Sequence, residues 1–240
     1  MTASTAARRR LRPPYETSPA TYRVLRRIVA LIMGLFYRYE VVGTENVPPC
    51  GPIVVAVNHL HLFDPFAVAA RIDRQIVTLA ASKWRSNLFV GAFLKYAGTI
   101  FVKRGEVDRQ ALRACLDVLS HGKALAVAPE GTRSRTGGLQ RGKPGIAYLA
   151  TRTDTAILPV AIAGTQRLSD WLHFRRPVCR VVVGKPFHLD RPAGKPTTDD
   201  LQEMADEIMV RIGVMLPEEY WGAYAERIAA TLGHSAERAA

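Results

Sequence analysis

The 240-residue chain holds only three cysteines, Cys50, Cys115 and Cys179, set far apart. An odd, sparse set excludes a disulfide framework and fits reduced thiols in a cytosolic compartment. Cys115 falls on an apolar helix face, which makes it a core residue rather than a nucleophile. No Cys/His spacing of a structural zinc site is present. Long apolar runs are missing as well. A membrane-spanning helix needs about 20 apolar residues, and the best run, Ile28 to Phe36, has nine. It starts late and has no small-residue cleavage site after it, so a secretory signal is not expected. Gly137-Gly138 lacks the Gly-Lys-Ser/Thr ending of a nucleotide phosphate loop. No Gly-x-Ser-x-Gly elbow occurs, which disfavours a serine hydrolase. Acidic residues are few: 21 against 33 Lys and Arg, a net charge of +12. Such an excess asks for an anionic partner. Nucleic acid is disfavoured, because RNA-binding and zinc-finger signatures are absent and aromatics do not interleave with the basic residues.

The basic residues are unevenly placed. Residues 1–27 hold seven Arg and one Glu, which is half of the net excess. Residues 1–20 read as a disordered basic tail and residues 21–240 as a single domain. A helix is predicted over Tyr22 to Tyr39. Two readings of it stand side by side. It is a core helix, or it is an amphipathic helix on an anionic bilayer, with Arg23, Arg26 and Arg27 drawn to head groups.

Several near-continuous apolar runs read as strands buried on both faces: 52–57, 76–81, 99–103, 124–128, 156–163 (interrupted by Pro159) and 178–183. They alternate with helical segments. Helices are predicted after Asp64, over a broken stretch at 83–96, and at 108–121, where Ala111, Leu112, Cys115, Leu116 and Leu119 recur at three and four. Two more are predicted at 145–151 and 201–215. The fold class is α/β, a mixed, largely parallel central sheet flanked by helices.

Three polar motifs each follow a strand, so they can share one rim of the sheet. The first is Asn58-His59-Leu60-His61-Leu62-Phe63-Asp64-Pro65. An imidazole takes a proton near neutral pH, and a carboxylate can hold the ring in one tautomer and favour its charged form. Five helical steps would set His59 and Asp64 roughly 140° apart. A turn brings them together, with Asp64 as N-cap and Pro65 as the first helical residue. His59, His61 and Asp64 are metal-capable, but no fourth ligand is evident and a metal site is disfavoured. The second motif ends the strand Thr99 to Lys103 with Arg104, whose guanidinium can grip a phosphate as a fork. The third is Pro129-Glu130-Gly131-Thr132-Arg133-Ser134. Gly131 permits close backbone approach, Thr132 and Ser134 offer hydroxyls, and Arg133 offers a bidentate cation, a set suited to an oxyanion. Glu130 is expected to orient Arg133 or to receive a substrate hydroxyl.

Taken in order, Asn-His-x4-Asp at 58–64, Gly-x-Ile-Phe-Val-x-Arg at 98–104, Pro-Glu-Gly-Thr-Arg-Ser at 129–134 and Ile-Leu-Pro-Val-Ala-Ile at 157–162 resemble the four motifs of the glycerolipid acyltransferases, the 1-acylglycerol-3-phosphate acyltransferase family. The likeness covers about Val41 to Phe187. It implies a glycerol-3-phosphate acyltransferase-like fold. It also implies acyl transfer from acyl-CoA or acyl carrier protein to a lysophosphatidic acid or similar acceptor, at an anionic membrane surface on the inner face of the cell membrane, without metal or cofactor. By this resemblance His59 is the general base and Asp64 its orienting acid. Arg104, Glu130, Gly131, Thr132 and Arg133 hold the acceptor phosphate, and the strand around Pro159 shapes the site. His61 stands where the family often has Ser, and Ala128 where it usually has Phe. Competing readings are a related acyltransferase with a sugar or metabolite alcohol as acceptor, a thioesterase, and a basic membrane-binding protein without catalysis.

Overall fold

The computed structural model describes residues 17–103, 105 and 108–239. Residues 1–16, most of the expected basic tail, lie outside the described residues, and so does Arg104. The elements in chain order are α1 (Pro19–Phe36), β1 (Arg38–Val42), β2 (Ile53–Val57), α2 (Asp64–Arg71), β3 (Ile76–Val77), β4 (Leu79–Ala81) and α3 (Leu88–Tyr96). There follow β5 (Ile100–Val102), α4 (Arg109–Ser120), β6 (Ala124–Val127), α5 (Gly145–Thr153), β7 (Ile157–Ala163), β8 (Val178–Val183), α6 (Thr198–Gly213) and α7 (Ala225–Ala239). A 3-10 segment, Thr165–His173, links β7 to β8.

Six strands form the central sheet in the order β1-β8-β7-β2-β6-β3. β7, β2, β6 and β3 are mutually parallel; β8 is antiparallel to β7, and β1 runs parallel to β8. β4 and β5 form a separate parallel pair. All five residues of β2 and all seven of β7 are buried, as strands covered on both faces require. Alternate residues feed two cores. Val54, Ala56, Ile157 and Ala161 join α4, α5, α6 and α7 on one face. Ile53, Val55, Leu158 and Val160 join α1 and α2 on the other. Each fully buried aliphatic chain of this kind contributes about 1.5–3 kcal/mol.

Several predicted boundaries shift. The first helix ends at Phe36 rather than Tyr39, because Arg38–Val42 pair with Val178–Val182 as an edge strand. The run Ile76–Ala81 is two strands in two sheets. The break falls at Thr78, whose carbonyl accepts from Ile100 N (2.9 Å). Pro159 does not interrupt β7. The carbonyl of Ile157 accepts from Phe187 N (3.0 Å) and that of Pro159 from Gly184 N (2.8 Å). The N–H that Pro159 lacks belongs to the same side, just past the end of β8, so the ladder loses little. Asp64 is the first residue of α2, after Phe63 as N-cap. Its carboxylate serves the preceding loop instead of its own helix.

α1 has one buried and one exposed apolar face. It buries Tyr22, Val29 and Met33 and exposes Val24, Ile28, Leu31, Ile32, Leu35 and Phe36. No helix among the described residues is long and apolar enough to cross a membrane.

Candidate active site

Because β2 and β6 are adjacent and parallel, the loops after them leave the same edge of the sheet. Asn58 fixes the first loop. Its buried amide donates to Ile162 O (2.9 Å) and its oxygen accepts from Ile162 N (2.8 Å), clamping the end of β2 to β7. The chain then turns, and His59 meets Asp64. His59 Nδ1 lies 2.8 Å from Asp64 Oδ2. The same oxygen accepts from Leu60 N (2.6 Å) and His61 N (2.7 Å). Asp64 Oδ1 accepts from the Thr165 hydroxyl at 2.5 Å. Both Asp64 and Thr165 are buried. An ionised carboxylate so enclosed holds the ring with Nδ1 protonated and leaves the Nε2 lone pair free to take a proton.

The loop after β6 holds the other side of the histidine. Glu130, only 2% exposed, accepts from His59 N (2.8 Å) through Oε1 and from Gln140 N (3.1 Å) and Nε2 (3.2 Å) through Oε2. Ser134 N donates to His59 O (2.7 Å). Glu130 therefore does not orient Arg133. Its oxygens are taken up in tying the two loops together. Burial pushes its carboxyl above the usual range, and these hydrogen bonds partly oppose the rise.

Gly131 adopts φ +68°, and a Cβ there would come within 3.0 Å of Lys143 Nζ. The turn thus needs glycine and carries a lysine alongside it. Thr132 is half-buried and Arg133 exposed. Arg133 is near enough to help depress the His61 imidazole, whose burial lowers it most. His61 packs its ring on Phe63 at 5.2 Å. Pro159 lies inside the sheet beside Gly184 and lines neither cavity described next. Among the described residues no three His, Cys, Asp or Glu side chains gather as metal ligands. All three cysteines are free thiols; burial pushes the Cys115 thiol up to about 12, which keeps it inert.

Two apolar cavities, of about 920 and 900 Å³ counted to their open mouths, meet at His59. One runs between α1 and α3, past Leu25, Val29, Phe66, Phe93 and Leu94. The other runs along the ends of β2 and β6, past Val68, Val102, Ala126, Ala128 and Gly131. A base at the junction of two greasy cavities, beside a glycine turn followed by Arg133, can deprotonate the polar end of a lipid-like molecule.

The sequence pointed to His59, Asp64 and the 130–133 turn, and the structure brings these together. Thr165 and Asn58 were not singled out. Thr165 lies 101 residues from its partner, and nothing local marks it. The motif at 98–104 ends outside the described residues.

Residues 38–163 match the family model described as Acyltransferase. A 1-acyl-sn-glycerol-3-phosphate acyltransferase of Borreliella burgdorferi is 33% identical over 127 residues, 52% of this chain and 51% of that protein. One of Bacillus subtilis is 24% identical over 193 residues, 80% of this chain and 94% of that protein. The chain thus spans about half the length of the first relative and nearly all of the second. The crystal structure of a 1-acyl-sn-glycerophosphate acyltransferase from Thermotoga maritima superposes with a TM-score of 0.62 at 24% identity, covering 78% of this chain and 76% of that one. That likeness concerns the fold.

Proposed function

The chain belongs to the acyltransferase family, and from that premise we propose that it moves an acyl chain from a thioester, acyl-CoA or acyl carrier protein, to the free hydroxyl of 1-acylglycerol 3-phosphate, forming phosphatidic acid. The observation that carries this reading is the His59–Asp64 pair at the meeting of two apolar cavities. His59 Nε2 removes the acceptor hydroxyl proton as the oxygen attacks the thioester carbonyl. The tetrahedral intermediate collapses, the C–S bond breaks, and the imidazolium returns its proton to the departing thiolate. Asp64 stabilises the positive charge that forms on the ring. The acyl carbon is attacked directly, so no enzyme nucleophile is needed.

Arg133, the Gly131-Thr132 turn and Arg104 bind the acceptor phosphate in this scheme. Glu130 contributes by holding the histidine backbone. Proximity of thioester and alcohol supplies much of the rate, and the base adds about 10²–10⁴-fold. The scheme uses no metal or organic cofactor. The protein acts as a peripheral enzyme at an anionic membrane, on its inner face, where the acceptor resides. Assay of the purified protein with labelled acyl-CoA and acyl carrier protein tests the reading, against lysophosphatidic acid, other lysolipids, sugars and water. Transfer to the phosphorylated acceptor is expected. Equal use of phosphate-free alcohols would reassign the acceptor, and thioester loss to water alone would make the protein a thioesterase.

A further inference from the structure

The linker between β7 and β8 carries an exposed apolar wedge. Its 3-10 segment ends in Trp171, Leu172 and, after His173, Phe174. Leu172 is 82% exposed and Phe174 97%. Phe174 also sits at φ +56°, a backbone conformation that is disfavoured for an aromatic residue. A turn held in this way to display a naked ring has no role in the core, which it does not touch.

The wedge is not isolated. Trp171 packs edge-on against Phe36 at 5.8 Å and donates its indole N–H to Phe36 O (2.8 Å). Arg176, just beyond, donates to Gly34 O and to Tyr37 O. The segment is thereby fastened to the C-terminal end of α1 and continues that helix's exposed apolar face of Ile28, Leu31, Ile32, Leu35 and Phe36. Contiguous apolar surface of this kind marks an interaction site. Cations accompany it. Arg23 and Arg27 on α1 and Arg175 beside the wedge are exposed, and Arg167 is turned to Asp170. An apolar face with an indole at its edge and arginines around it is complementary to an anionic bilayer. The cavity that ends at His59 is walled by Tyr22, Leu25 and Val29 of the same α1.

We propose that Trp171, Leu172 and Phe174 form a second point of insertion into an anionic glycerolipid bilayer, so that α1 and the wedge together fix the orientation of the domain on the membrane. This inference rests on the acyltransferase reading for its purpose, since a single helix would bind without orienting the His59 cavity to its lipid.

The test uses the full chain and vesicles of equimolar phosphatidylglycerol and phosphatidylcholine, with pure phosphatidylcholine as a second arm. The variants are Leu172→Ser/Phe174→Ser and, separately, Leu31→Ser. Each removes exposed side chains, and thermal melting verifies the fold. Losing one or two inserted apolar side chains lowers vesicle affinity by about 10- to 100-fold. The wedge variant is expected to show that loss, with weaker binding to pure phosphatidylcholine for all proteins. Acyl transfer from a short-chain thioester to a water-soluble acceptor should be unchanged, while transfer to vesicle-borne acceptor falls. Unchanged vesicle affinity in the wedge variant overturns the proposal. So does concentration-dependent self-association in lipid-free solution that the wedge variant abolishes, which assigns this face to a second copy of the chain. Absence of acyl transfer by the wild type on soluble substrates would refute the enzymatic reading and leave the binding result to stand by itself.

Discussion

Replacing Asp64 by Asn separates charge from structure at this site. Asp64 Oδ2 accepts three hydrogen bonds, from His59 Nδ1, Leu60 N and His61 N, and Oδ1 accepts one from Thr165. An amide oxygen placed where Oδ2 stands keeps the three. The amide NH2 then faces the Thr165 hydroxyl, which can turn to accept. The loop therefore keeps its hydrogen bonds, and stability should change by no more than ~1 kcal/mol. What disappears is the negative charge that stabilises the imidazolium. With Nδ1 and Oδ2 2.8 Å apart, the charge centres are about 4 Å apart, and at an effective dielectric near 20 they attract by about 4 kcal/mol. At about 1.4 kcal/mol per tenfold, kcat/KM should fall by ~10²–10³-fold. Asp64→Ala is a different perturbation. It strands two buried backbone N–H groups at about 1–3 kcal/mol each and should lower the melting temperature as well. Steady-state acyl transfer together with thermal melting distinguishes the two. A near-wild-type rate for Asp64→Asn would refute the reasoning, as would a loss of rate explained entirely by unfolding.

Thr165→Val removes the hydroxyl that Asp64 Oδ1 accepts, and should cost about 1–3 kcal/mol of stability. As a positioning residue Thr165 should also alter the pH profile of kcat/KM, with Thr165→Ser restoring it; a profile unchanged by Val confines Thr165 to a structural role. Gly131→Ala forces a Cβ into a φ of +68° beside Lys143. It should cost about 1–2 kcal/mol and raise KM for a phosphorylated acceptor, read from melting and initial rates. Glu130 gives a pH signature. Its carboxyl lies above the usual value of 4.5 in the fold, so above that value the native state binds more protons than the unfolded one, and this group's contribution to stability declines as pH rises through the folded value. The stability of wild type minus that of Glu130→Gln should therefore fall with rising pH and then level off. Urea denaturation across the acid range measures it, and a difference that climbs with pH contradicts the burial.

Four central strands were legible because Val54-Val55-Ala56-Val57, Ala124-Leu125, Ile157-Leu158 and Val181-Val182-Val183 are near-continuous apolar runs, which a sheet covered on both faces demands. β1 was not. Arg38-Tyr39-Glu40-Val41-Val42 alternates exposure at an edge, and its only ladder is to β8, some 140 residues on in the chain. The split between β3 and β4 is not legible in the sequence, since six residues of mostly apolar character carry no mark of a change of sheet. No expectation covered the 3-10 segment or α7, although α7 is amphipathic and sends Ile228 into the core. At the site, His59 and Asp64 are five residues apart and announce a turn by the following proline. Glu130 was read as a ligand for Arg133 or substrate because its burial depends on the packing of β2 against β6. Thr165 is brought in by the path of β7, which no local pattern encodes.

The central claim is that His59 is the base. Acyl transfer to lysophosphatidic acid by His59→Ala, measured beside wild type in a protein whose melting curve shows it folded, tests it most directly. A loss of about 10²–10⁴-fold in kcat is expected with the fold intact. Turnover by the folded variant at the wild-type rate would contradict it.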